Sequence, residues 1–219
     1  MKINQDTIEL VLKNYTQLLK RIDAHIQRVE KEYSDKIVCK KGCDSCCRFL
    51  SLFPVEAFAL SAAFLRLDKS TQDLVRDILA QTDLARNNQI PSDLSPSNLY
   101  PSDLDPERPV PSELEKTEAC PLLINKECIL YEARPIICRT HGFPIYIEKD
   151  GKSLVDFCPK NFKDVTSFSK DALLSLGHLN TLLTAINTQF LKSIEPDTPF
   201  PDRIPISQAL FMLNPTEPS

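Results

Sequence analysis

From Ile8 to Tyr33 apolar residues recur at positions 8, 12, 15, 19, 22, 26, 29 and 33, in alternating steps of four and three, with Lys, Arg, Glu and Gln between them. This spacing predicts an amphipathic helix over residues 5–34 that turns one apolar stripe to a core. His25 lies beside the stripe and reads as a half-buried or exposed helix residue rather than a metal ligand. A second helix is expected to open at Pro54, which suits a first helical turn, with Glu56 near its positive end. A third amphipathic stretch runs from about Thr71 to Leu84. A closing helix is expected from about Lys170 to Ser193, with Leu176, Leu179, Leu183, Ile186 and Phe190 on one face. Between Phe143 and Phe157, two short apolar runs flank Lys149-Asp150-Gly151-Lys152, a hairpin signal centred on the Asp-Gly pair.

Two stretches break the helical pattern. Residues 91–115 read PSDLS-PSNLY-PSDLD-PERPV-PSELE, five pentads that each open on proline. Proline at every fifth position removes backbone donors and forbids a continuous helix, so the Pro-rich acidic segment 89–116 is expected to be a solvated linker or a strap of turns. The tail 195–219 is also rich in proline and is expected to be irregular. The fold class that results is mainly α, one small helical domain spanning residues 1–219 with one short β-hairpin.

Composition narrows the function. With 219 residues, 42% hydrophobic and 26% charged, the chain can bury one core without disulfides. No run approaches the length of a membrane span, and the N-terminus turns polar too soon for a secretory leader, so a cytoplasmic protein with no membrane partner is expected. The formal net charge of -4 argues against a nucleic-acid partner. Its placement is uneven, because residues 91–116 hold six acids against Arg108 and Lys116 and leave the remainder formally neutral. Only four glycines occur, so no glycine-rich phosphate cradle can be written, and neither HExxH nor GxSxG is present.

The chemistry lies in eight cysteines. Cys39, Cys43, Cys46 and Cys47 stand within nine consecutive residues, and Cys120, Cys128, Cys138 and Cys158 follow over 39 residues. Thiolates this dense repel one another unless a soft metal ion neutralises them, and in a reducing compartment such a pattern points to metal before disulfides. Structural zinc takes four thiolates, and iron-sulfur clusters are also held by cysteine. The Cys43-x2-Cys46 turn lets two sulfurs converge, while Cys47 projects elsewhere. Gly42 and Gly142 sit beside cysteines in sequence. Arg48 and Arg139 each follow one directly and are expected to neutralise the thiolates. His141 is the histidine nearest the sulfurs, as a ligand, as a hydrogen-bond donor to a thiolate, or as an unrelated residue; His178 on the closing helix is not expected to be a ligand.

The segments V-C39-KKG-C43-DS-C46-C47-R48, C120-PLLINKE-C128-ILYEARPII-C138-R139 and F-C158-P resemble the YkgJ-like CxxCxxCC cysteine-cluster proteins, a zinc- or iron-chelating domain family. The likeness covers the motif parts of residues 36–60 and 118–160, and Cys39 departs from the pattern by one position. The resemblance implies that Cys39, Cys43, Cys46, Cys47, Cys120, Cys128, Cys138 and Cys158 bind zinc or iron, or an iron-sulfur cluster. Similar clusters accompany other sequence in flagellin lysine methylases, which leaves enzyme activity open. Three functions stand at this point: a metal-binding protein, an iron-sulfur or multinuclear iron enzyme or redox protein, and a thiol oxidoreductase using Cys43-Asp44-Ser45-Cys46. A metal ion is the expected partner, and no feature specifies a protein partner.

Overall fold

The computed structural model describes residues 5–87, 119–149, 151–194 and 200–213. The acidic pentads lie outside them. Helix α1 (Gln5–Glu32) is the longest element, and its buried face is Val11, Tyr15, Leu18, Ile22, Ile26 and Val29. Leu12 and Leu19, which the spacing assigns to the stripe, pack at its edge instead. Adjacent leucines and valine at 10–12 and 18–19 give periodicity two nearly equal phases, and tertiary packing selects one.

Helix α2 (Pro54–Phe64) begins as expected, with Pro54 in its first turn and the Glu56 carboxylate accepting from the Phe53 N–H at 3.3 Å. It is apolar on almost every side because it separates two cores. Val55 and Phe58 join α1 and α5 (Leu176–Ser193) in the first, together with Phe143, Phe162 and Leu174. Ala57, Leu60 and Phe64 join Val75 and Leu79 of α3 (Lys69–Asn87) in the second, together with Leu122 and Leu130. A short helix α4 (Ile136–Thr140) packs against α1.

Strand content exceeds the single hairpin expected. The hairpin is present as β4 (Ile145–Lys149) and β5 (Lys152–Asp156), paired antiparallel, and β6 (Leu174–Ser175) adds to β4 in parallel. The closing helix is shorter than its apolar spacing implies, since Lys170–Ala172 form a 3-10 turn and the next residues form β6 before Ser175 caps α5. Two-residue pairs β1 (Ser51–Leu52) with β7 (Ile204–Pro205), and β2 (Leu123–Ile124) with β3 (Glu127–Cys128), are too short to leave a period in the sequence. The tail is only partly irregular. Residues 200–213 include β7 and helix α6 (Ile206–Ala209), and they bury Ile204, Ile206, Ala209 and Leu210 in the second core. Burial of those apolar side chains outweighs the prolines around them. No helix among the described residues is long and apolar enough to cross a membrane.

Candidate metal centre

Seven of the eight cysteines, all but Cys158, line one cavity of about 470 Å³. Cys158 reaches the same place from behind Gly142: a Cβ built on that glycine would stand 3.4 Å from Cys158 Cβ and 3.4 Å from Cys39 Sγ. None of the eight forms a disulfide. The two sequence groups are thus brought together although about 70 residues separate Cys47 from Cys120.

Local turns set the first group. Gly42 has φ +93°, and the Cys43 N–H donates to Lys40 O at 2.9 Å. A second turn follows as the Cys47 N–H donates to Asp44 O at 3.0 Å. Cys43 and Cys46 therefore sit in turns and not at the start of a helix, which removes the structural setting that a thioredoxin-like Cys-x2-Cys requires. The Cys120 N–H then donates to Cys47 O at 3.1 Å, and Arg48 bridges Ala119, so the second group starts where the first ends. The β2–β3 turn, with Asn125 and Lys126 at positive φ, returns Cys128 opposite Leu123. Cys138 lies on α4, and Cys158 accepts from the Asn161 N–H through its carbonyl at 2.9 Å.

Three residues that the sequence reading did not single out as site residues, or assigned another role, hold these segments. Asn161 is fully buried; its Oδ1 accepts from the Val38 and Cys39 N–H groups at 3.0 and 3.1 Å, and its Nδ2 donates to Gly142 O at 2.8 Å. It fastens the Cys39, Gly142 and Cys158 segments to one another. The one signal in the sequence was an Asn three residues after a cysteine. Phe162 follows at φ +53° and packs edge-on against Tyr33, Phe157 and Phe168. Glu56 accepts from the Ile136 N–H at 3.0 Å as well as from Phe53, so one carboxylate caps both α2 and the helix that carries Cys138. Burial raises its pKa.

Arg139, expected to neutralise the thiolates, lines the cavity but directs its hydrogen bonds elsewhere. Its guanidinium, 7% exposed, donates to both carboxylate oxygens of Asp23 at 2.8 Å, to Arg134 O at 2.7 Å and to Glu132 O. The planar fork is used up in fixing residues 132–139 on α1. Among the described residues, Lys160 helps to lower the pKa of Cys43, after the hydrogen bonds with Ser45, and Arg134 opposes the rise at Cys128 and Cys138. Arg134 lies 3.5 Å over the Tyr131 ring.

Burial is the main electrostatic influence on the cluster. It pushes the Cys39 and Cys46 thiols up to about 11 and Cys120 to about 12, and it raises Cys47, Cys128 and Cys138 as well. Cys43 is lowered instead, chiefly by its hydrogen bonds with Ser45. Neighbouring thiols add to the rise: Cys43, Cys46 and Cys158 act on Cys39, Cys47, Cys43 and Cys158 act on Cys46, and Cys120, Cys128 and Cys47 act on Cys138.

No family model, curated protein or solved structure matches this chain.

The donor set fits a soft cation, since seven half-buried cysteines line one cavity with Cys158 behind it, and a metal would relieve the cost of ionising them there. As placed, however, no three His, Cys, Asp or Glu side chains among the described residues stand close enough to hold an ion. Burial favours the neutral thiol at Cys39, Cys46, Cys47, Cys120, Cys128 and Cys138, and closing these groups into a ligand shell requires the proton loss that an ion drives. Of the histidines, His141 lines the cavity, exposed at the end of α4. His178 is exposed in the first turn of α5. His25 is more buried than its position beside the stripe implies, with Nε2 3.2 Å from Ala172 O, and burial lowers its pKa.

Proposed function

We propose that this chain is a metal-binding protein that chelates zinc or iron through its eight cysteines. The observation that carries the reading is the meeting of both cysteine groups at one cavity, seven sulfurs on its wall and Cys158 packed behind Gly142. A protein that used these residues only as small apolar fillers would have no reason to gather them, because each adds to the cost of ionising its neighbours. When bound, zinc would serve as a structural Lewis-acid centre held by thiolates, and iron would add redox capacity. The chain's own contribution is the scaffold: Asn161, Glu56 and the Arg139–Asp23 pair fix the three segments that present the sulfurs.

The test is elemental analysis and a visible spectrum of protein purified without oxygen. Stoichiometric zinc or iron supports the reading, and protein that neither retains nor takes up either metal while folded overturns it. A second reading, a redox or catalytic iron centre, is favoured by the cavity, which extends past the sulfurs to Asp23, Glu30, Tyr131 and His141. A coloured centre that bleaches on reduction supports that version.

A further inference from the structure

Packing divides the eight cysteines differently from the sequence. We propose that they form two separate four-sulfur sites, Cys39, Cys43, Cys46 and Cys158 in one, and Cys47, Cys120, Cys128 and Cys138 in the other, each for one soft divalent cation. The inference deepens the metal-binding reading and rests on it.

The first set is built around Gly142 and Asn161. Gly142 lies between Cys39 and Cys158: a Cβ added there would stand 3.4 Å from Cys39 Sγ, 3.4 Å from Cys158 Cβ and 3.3 Å from Asn161 Nδ2, and its φ of +96° disfavours any side chain. Asn161 receives the Cys39 N–H while its own N–H donates to Cys158 O, so positions 39 and 158 are fastened through one residue. Cys43 and Cys46 lie in the turns that directly follow Cys39.

The second set is built on the other core. Cys120 and Cys128 pack against the cluster of Leu122, Leu130 and α2. Cys47 is bonded to Cys120 through the backbone at 3.1 Å, and the β2–β3 turn folds Cys128 back toward the same place. Cys138 enters from α4, whose first N–H is held by Glu56. The boundary runs between Cys46 and Cys47. Neighbouring side chains in a turn diverge, which gives a Cys-Cys pair a reason to exist: one backbone step serves two ions.

Four thiolates complete the ligand shell of a structural zinc, so each set is sufficient alone. The test uses the full chain, stripped of metal and reduced without oxygen. Cobalt(II) titration should reach two ions per chain in the thiolate charge-transfer band. With a competing chelator present, Cys46→Ser/Cys158→Ser should retain one ion and Cys46→Ser/Cys128→Ser none. The opposite pattern, with Cys46→Ser/Cys47→Ser retaining one ion and Cys46→Ser/Cys158→Ser none, would show that the sites follow the sequence groups and overturn the proposal. Variants that fail to fold are bypassed by alkylating the unmutated chain at one cadmium per molecule and mapping the protected cysteines. Protection that falls into the two sets named supports the proposal. Uniform protection of all eight, or protection by sequence group, overturns it and leaves the metal-binding reading intact, whereas absence of any protection overturns both.

Discussion

At the scale of single residues, the site depends on side chains that never touch its cavity wall as donors of sulfur. Asn161 makes three hydrogen bonds at full burial, and Asn161→Ala would orphan the Val38 and Cys39 N–H groups. A loss of about 2–4 kcal/mol is expected in chemical denaturation, together with weaker metal retention. Arg139→Gln should cost about 2 kcal/mol, less than a fully buried pair because Asp23 is partly open to water, and it should act on stability of the metal-free chain as much as on metal content. Equal metal-free stability in the two proteins would return Arg139 to the role of neutralising thiolates. His25 gives a pH dependence. Burial holds its pKa in the folded chain below the ordinary 6.5, so the unfolded chain binds the proton more readily. Its contribution is complete above pH 6.5 and is lost as pH falls toward the folded value. The melting temperature should drop between pH 7 and pH 5, and His25→Gln should flatten that slope.

At the scale of elements, the long helices were legible and the short pieces were not. α1 and α2 were readable because their apolar positions repeat over many turns and Pro54 marks a start, although the phase at Leu12 and Leu19 was decided by packing. The pairs β1–β7 and β2–β3 have two residues a strand, too few for a period, and β1 and β7 are also distant in sequence. The clustered cysteines announced the site, yet its supports did not show, because a single Asn or Glu carries no pattern and only the fold reveals what it bonds. Ile206 illustrates the tail. It stands in a proline-rich stretch and is 1% exposed beneath α2. Ile206→Ala should cost about 2–4 kcal/mol, visible as a fall in denaturation midpoint with little change in slope. A neutral outcome would mean that residues 200–213 are only loosely attached.

At the scale of the whole molecule, metal and fold should be one equilibrium. The segments bearing sulfur join two hydrophobic cores on either side of α2, so metal held by those segments would brace both cores. Removing it with a strong chelator should lower the melting temperature by well over 10 °C, since a structural site contributes on the order of 10 kcal/mol. Each bound thiol must also release a proton. With Cys39 and Cys46 raised to about 11 in the metal-free chain, apparent affinity should climb with pH throughout the neutral range and metal should be lost on acidification. Proton release on zinc addition in a weakly buffered solution checks this directly.

The clamp made by Asn161 has a consequence in time. Cys158 follows Cys47 by about a hundred residues, which a ribosome takes about 5–20 s to add. During that interval the nascent chain displays four thiols in nine residues with neither Asn161 nor the later sulfurs to enclose them. Any ion caught so early would sit in the arrangement dictated by chain order and would have to be surrendered before the clamp could close. On the metal-binding reading proposed above, synthesis itself would open a window in which mismetallation or oxidation competes with maturation, and protein made in a pulse under metal excess should mature more slowly than protein loaded after release.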